Sequence, residues 1–298
     1  MLVNQQNLRS LYTAYSALFQ SSFAGVTPTW NKVAMSVPST TRANEYGWLG
    51  QFPRMREWLG DRVIESLGAF NYTIRNRTFE STIAVKREDI EDDNIGIYNP
   101  MFEEFGRASA TFPDELVYAA LAAGFTGVGY DGRPFFDASH PVLAADGQTV
   151  TTVSNTGGGA GTPWFLLDTS RAIKPLIYQN RRAFTLTRMD GLTDEEVFSR
   201  GEFRYGVDGR CNVGYGLWQL AFASRQPLTA ANYGAARAAM MGMRGDRQRP
   251  LGIRPNLLVV PPPLEEVGLQ ILNADVGAAG ATNVWRNTAE LHVAAWLS

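Results

Sequence analysis

Apolar residues recur at steps of three and four through Leu8, Leu11, Tyr12, Tyr15, Leu18 and Phe19, which predicts an amphipathic helix over residues 5–20. From Ala24 to Trp48 no helical period is present, and Pro28, Pro38 and several Ser and Thr predict an extended, irregular segment. The stretch PRMREWLG (53–60) reads as one or two helical turns between Pro53 and Gly60. The period then changes to two. Phe70, Tyr72 and Ile74 make one apolar face and Phe79, Ser81, Ile83 and Val85 the next, with a tight turn expected at Asn76 and Arg77. The second strand runs into Glu88, Asp89, Glu91, Asp92 and Asp93, which cannot be buried unpaired. Asn99 and Pro100 then open a long helix whose stripe is Met101, Phe105, Ala108, Phe112, Leu116, Ala119 and Ala123, ending at Gly124. Pro113 lies inside it, removes a backbone bond and clashes with the carbonyl of Ser109, so a kink or a split is expected there.

Residues 125–163 are turn-rich, and three apolar runs follow that read as strands: 164–167, 176–179 and 183–187. Residues 202–223 make a further long strand, or a pair, interrupted by Gly206, Gly209, Gly214 and Gly216. Thr229 is placed to cap a small-residue helix running to Met243. Leu257 to Val260 is a short apolar strand closed by Pro261, Pro262 and Pro263, with a helix over 264–272 and a last alternation through Leu291, Val293 and Ala295. Strands and helices come in blocks, which predicts an α+β fold instead of a doubly wound parallel sheet.

Composition narrows the function. A 298-residue chain that is 45% apolar can bury a sizeable core. Its formal charge of -2 excludes a strongly basic nucleic-acid binder. Three of the 27 basic residues are lysines (Lys32, Lys86, Lys174), leaving 24 arginines, a bias that a GC-rich genome accounts for and that also suits bidentate pairing across subunit interfaces. Cys211 is the single cysteine, so neither an internal disulfide nor a Cys-based zinc site can form in one chain. The amino terminus lacks the pattern of a signal peptide and no run approaches about 18 apolar residues, so neither export by signal peptide nor a membrane span is expected.

Candidate chemistry is sparse. His140 with Asp131 and Asp137 offers an imidazole and two carboxylates, the material for a metal site or a proton relay. Asp131 precedes a glycine and His140 a proline, however, so turn chemistry already accounts for both. GGGAGT (157–162) lacks the lysine of a phosphate-binding loop and runs into Pro163, which favours a flexible loop. The acidic run has no glycine or glutamate at the spacing of a calcium loop and reads as a solvated turn or a helix-dipole cap. No serine sits in a nucleophile elbow, and nothing supplies Cys211 with a base.

The segment FESTIAVKREDIEDDNIGIY (79–98) and the step Pro113-Asp114-Glu115-Leu116 resemble the major head subunit of Mu-like bacteriophages. So do, in order, the WLG pieces at Trp48 and Trp58, YDGRPFFDASHP (130–141), PWFLLDTSRAIKPLIYQNR (163–181), GYGLWQLAFASRQPLT (214–229) and RPLGIRPNLLVVPPPLE (249–265). NTGGGAGT (155–162) and DVGAAGAT (275–282) look like variable insertions. The resemblance implies the Hong Kong 97-like capsid fold, divided into an N-terminal arm (1–40), an extended hairpin loop (41–88), a peripheral domain with a long spine helix (89–224), an axial domain (225–285) and a C-terminal strand (286–298). It implies self-assembly into hexamers and pentamers of an icosahedral head in the host cytoplasm, around double-stranded DNA held without sequence-specific contacts. Scaffold or protease, portal and decoration proteins are the implied partners, and no cofactor, metal or catalytic residue is implied. Trp48, Arg54, Arg56, Trp58, Leu59 and Arg62 are the candidate inter-subunit contacts, because so many large groups on a ribbon need a neighbour to bury them. On that reading the hairpin projects with its apolar residues exposed. A cellular encapsulin shell of the same fold, or a soluble enzyme with a site near His140, are the alternatives.

Overall fold

Helix α1 (Gln5–Gly25) lies along helix α3 (Asn99–Ala122), and the two cover one face of a four-stranded sheet; the computed structural model describes residues 2–49, 72–277 and 280–297. The Asn4 side chain caps α1 by accepting from the amide of Asn7 at 2.9 Å. Leu8, Leu11, Tyr15 and Phe19 are buried at the predicted spacing. Residues 5–25 therefore pack on their own subunit instead of standing free.

Helix α3 runs through Pro113 without being split. Its local penalty, about 3 kcal/mol, is outweighed by burial on both sides of the proline: Phe102 and Phe105 before it, Val117, Tyr118 and Leu121 after it. The buried stripe is also rotated from the expected one. Met101 is 48% exposed, Ala108 and Ala119 face solvent, and Phe102, Ser109, Pro113 and Val117 turn inward. The reason is that α3 meets α1 as well as the sheet, which widens its buried face. At the crossing the backbones touch: a Cβ on Gly106 would lie 2.3 Å from the carbonyl oxygen of Phe19.

The four-stranded sheet has the order β1 (Ala34–Pro38), β9 (Leu176–Met189), β10 (Glu202–Tyr215), β4 (Arg77–Lys86). Strands β9 and β10 are antiparallel, β4 is antiparallel to β10, and β1 runs parallel to β9. Phe203, Tyr205, Val207 and Cys211 of β10 point into the core at period two. Tyr205 meets Tyr15 and Phe102 edge-on, while Tyr15 and Phe102 stack at 4.0 Å. Residues 176–179 and 183–187, expected as separate strands, form one strand, with an irregularity opposite Gly209, whose missing side chain makes room for the Phe184 ring.

The expected hairpin through Asn76 and Arg77 does not form. Strand β3 (Thr73–Arg75) pairs instead with β2 (Ala43–Glu45), and β4 pairs with β10. Neither Asn76 nor Arg77 has the positive φ that the turn required. Asn76 is instead a junction. Its side chain donates to Ser39 Oγ and the Thr41 carbonyl and accepts from Gln179 Nε2 at 2.7 Å.

A five-stranded sheet of order β15 (Glu290–Val293), β14 (Leu257–Val260), β8 (Trp164–Leu167), β11 (Ala221–Arg225), β7 (Thr156–Gly159) carries the larger core. All four residues of β8 and of β14 are buried, as in strands covered on both faces. Helix α5 (Ala230–Met241) is capped by Thr229 as expected, and α6 (Glu265–Leu272) follows the three prolines. Thr156–Gly159 is an edge strand parallel to β11, not the expected flexible loop. Its glycines let the backbone lie close, since a Cβ on Gly157 would meet Ser224 Oγ at 2.7 Å. Two further ribbons, β5 (His140–Leu143) with β6 (Val150–Val153) and β12 (Arg244–Gly245) with β13 (Arg249–Pro250), a short helix α2 (Arg87–Glu91) and a helix α4 (Glu195–Arg200) between β9 and β10 complete the chain. The five-stranded sheet takes strands from 89–224, 225–285 and 286–298, so the boundaries at 224/225 and 285/286 cut through it.

One polar junction ties α3 to both ends of the chain. The buried Asp114 carboxylate accepts from the amides of Thr29 (2.9 Å) and Trp30 (2.6 Å). The Tyr118 hydroxyl reaches Thr29 and the Nε2 of His292 at 2.7 Å, and Lys32 pairs with Glu290. Burial, with the Lys32 ammonium next, pushes His292 below the ordinary imidazole value, Glu290 opposing.

Two outcomes follow from these contacts. In an open helix Gly→Ala gains about 1 kcal/mol, but Gly106→Ala should cost about 1–3 kcal/mol because it forces α1 off α3. A urea midpoint equal to or above that of the wild type would contradict the close approach. The folded state favours neutral His292, so its contribution is complete above the ordinary value of about 6.5 and is lost as the pH falls from there through the lower folded value. Between about pH 7 and about pH 5, the urea midpoint of the wild type should therefore fall more than that of His292→Gln.

Candidate functional sites

The imidazole of His140 is fully buried at the start of β5, stacked on the Trp218 indole at 4.0 Å with an interplanar angle of 7°. Its Nδ1 lies 2.6 Å from Asp131 Oδ2 and its Nε2 lies 3.1 Å from Asn155 Oδ1. Asp131 also accepts the amide of Arg133, and Asp137 turns away to accept the amide of Ser139. The carboxylate of Asp137 is thus not brought to the ring. Asn155 donates to the carbonyls of Phe135 and Trp218, accepts from the amide of Asp137, and joins β11 through its own carbonyl. Both ring nitrogens are occupied by protein groups, and among the described residues no hydroxyl or thiol is hydrogen-bonded to them. The arrangement pins the 127–140 loop to the five-stranded sheet, a structural role that goes beyond the local turn chemistry expected at Asp131 and His140. Asn155 is the member that sequence reasoning missed, since it sat in a segment taken for a loop.

The remaining chemical candidates are structural too. Cys211 is buried, and burial pushes its thiol up, away from the nucleophilic thiolate. The acidic run begins as α2, with Glu88 and Asp89 in its first turn where the helix dipole favours them. Asp89 accepts from the Tyr98 hydroxyl and Glu91 pairs with Arg87 at 2.8 Å. Among the described residues no group of three or more His, Cys, Asp and Glu is placed to hold a metal ion, and no helix is long and apolar enough to cross a membrane.

Of the six candidate contact residues, Trp48 is described and is 36% exposed, with its ring edge-on to Tyr46. Arg54, Arg56, Trp58, Leu59 and Arg62 lie outside the described residues. The expectation that the hairpin's apolar groups are exposed does not hold at its base. Tyr46 and Leu49 are buried in the main core, and the Tyr46 hydroxyl donates to Gln179 Oε1 at 2.8 Å. Gln179 is a buried amide in need of partners, and Tyr46 supplies one.

Exposed apolar groups occur elsewhere, at positions the periodicity did not single out. Phe198 on α4 is 90% exposed, and Met189 and Leu192 in the same connection are about half exposed. Leu269, Val276 and Val284 form a second exposed series around and after α6. For Phe198 the signal was present in the sequence, because Val197 takes the inward position of α4 and leaves its neighbour outward.

Known proteins with this arrangement are shell subunits. The family model described as Mu-like prophage major head subunit gpT matches residues 8–297. The chain is 42% identical over 289 residues to the major capsid protein of Escherichia phage Mu, covering 95% of each. It superposes on a chain of the bacteriophage JBD30 procapsid with a TM-score of 0.87 at 46% identity, covering 99% of this chain and 100% of that one. A chain of the JBD30 capsid decorated with minor capsid protein trimers matches with a TM-score of 0.79 at 34% identity over 94% of each. The fold is accordingly the α+β, Hong Kong 97-like fold of phage capsid proteins. A match that runs from α1 to the last strand, on a molecule whose His140 and Cys211 are buried, leads to one assignment: the chain belongs to the Mu-like prophage major head subunit family.

Proposed function

We propose that this chain is the building block of an icosahedral phage head, in which copies form hexamers and pentamers and the closed shell holds double-stranded DNA. The observation that carries the reading is the match of nearly the whole chain to the phage Mu major capsid protein. The sealed His140 and the buried Cys211 support a subunit that catalyses no reaction. In this reading 1–40 is the arm, 41–88 the extended hairpin, 89–224 the peripheral domain built on α3, 225–285 the axial domain and 286–298 the C-terminal strand. Trp48, Arg54, Arg56, Trp58, Leu59 and Arg62 make contacts between subunits. The DNA is confined by closure more than by binding, consistent with a formal charge of -2. A scaffold or protease, a portal and a decoration protein complete the head, the last by analogy with the trimers on the JBD30 capsid.

Negative-stain images of the expressed chain should show shells, tubes or capsomers; a uniform small particle would overturn the reading. Trp58→Ala should abolish those assemblies, at roughly 2–4 kcal/mol per contact, while circular dichroism of the subunit is unchanged. Assembly at the wild-type level would remove Trp58 from the interface. The shell should also be free of covalent links through lysine. Lys32 is paired with Glu290, Lys174 donates to the carbonyl of Asn31 within its own chain, and none of the three lysines, Lys86 included, lies in the 48–60 tip segment of the hairpin. Denaturing electrophoresis of mature particles should give a single band at the subunit mass, and a ladder of multiples would refute this.

A further inference from the structure

The His140 node that pins the 127–140 loop has a property beyond packing. Which end of the Asn155 amide faces the ring is set by three other bonds. Its Nδ2 donates to the carbonyls of Phe135 (2.8 Å) and Trp218 (3.2 Å), and its Oδ1 accepts from the amide of Asp137 (2.9 Å). Turning the amide over would set its NH2 against an N–H and its oxygen against two carbonyls. The oxygen therefore faces His140 Nε2, while Nδ1 faces the carboxylate of Asp131. Beside an ionised Asp131, a neutral imidazole, with one N–H and one lone pair, would turn that lone pair on one of these two oxygens. With His140 and Asn155 both fully buried, water cannot relieve that clash. A ring protonated on both nitrogens satisfies every atom of the node. The Trp218 face stacked on it at 4.0 Å favours the cation further.

We propose that His140 is held as an imidazolium, and that this buried cation, clamped between Asp131, Asn155 and Trp218, is the latch of the 127–140 loop. The titratable groups on the elements around it are consistent with a cation. Asp131 is in contact with the ring. Asp137 is turned to the amide of Ser139, Asp246 holds the amide of Leu143 at the far end of β5, and the Tyr130 hydroxyl is bonded by Gln219. Losing the Nε2 proton strands Asn155 Oδ1, and losing the Nδ1 proton strands Asp131. Either loss weakens the tie between the loop and β11. The property belongs to the subunit and does not depend on assembly.

The chain has only two histidines, which makes the test direct. In the full-length protein labelled with 15N-histidine, a His292→Gln variant assigns the His140 ring, by solution or magic-angle-spinning NMR according to its assembly state. At about pH 7, both His140 nitrogens should carry a proton. A single protonated nitrogen at that pH overturns the proposal. At the same pH the urea midpoint of Asp131→Asn, in which the charge clamp is gone, should lie below that of the wild type. Equal midpoints would show that the ring is no latch. If Asp131→Asn does not fold, the NMR result on the wild-type chain decides alone.

Discussion

Both hydrophobic clusters of this subunit are built against one rod, helix α3. Its first half places Phe102 and Phe105 in the cluster with α1 and the outer part of the four-stranded sheet, and its second half places Val117, Tyr118 and Leu121 in the cluster of the five-stranded sheet. Fully burying a side chain of this size contributes roughly 1.5–3 kcal/mol, so each half is anchored several times over. That redundancy is what keeps a proline-bearing helix continuous through Pro113. It also makes the two clusters move together, a useful property in a subunit that must present surfaces on several sides at fixed relative positions.

The hydrophobic clusters alone would leave sheet register and loop placement loosely specified, and buried polar groups supply the missing specification. Gln179 reaches Tyr46, the Ile74 carbonyl and Asn76, which locks the β2–β3 ribbon against β9. Asp114 holds the turn after α1, and Asn155 joins the 127–140 loop to β11. In each case a buried donor or acceptor would cost about 1–3 kcal/mol if left alone, so a slipped register is penalised even where the apolar packing would tolerate it. His140 belongs to this class: in a subunit of this family, an imidazole facing two carboxylates in sequence became a strut.

The outer surface follows a different logic. Phe198, Met189 and Leu192 sit on the connection between the two long strands, and Leu269, Val276 and Val284 lie at and beyond α6, both far along the chain from the pinned loop. Groups of this kind lose free energy in water and gain it in an assembly. Two such series, well apart in the sequence, suit a subunit of a shell-forming family.

Much of the local structure was legible in the sequence. The period of two through Ile83 and Val85, the capping role of Thr229, the halt at Pro261 to Pro263 and the spacing of Leu8, Leu11, Tyr15 and Phe19 each depend on residues close in the chain. The ordered series of family segments identified the fold class and the head-subunit family. Tertiary structure alone decided which strands pair. Strand β4 chose β10 over the nearby β3, because alternation specifies which face is buried but not which edge is filled. It likewise decided that Tyr46 turns inward to a glutamine far along the chain, that glycines 157–159 form an edge strand on β11, and that α3 survives its proline. These outcomes rest on contacts between distant segments, whose free energies exceed the local preferences that a sequence displays.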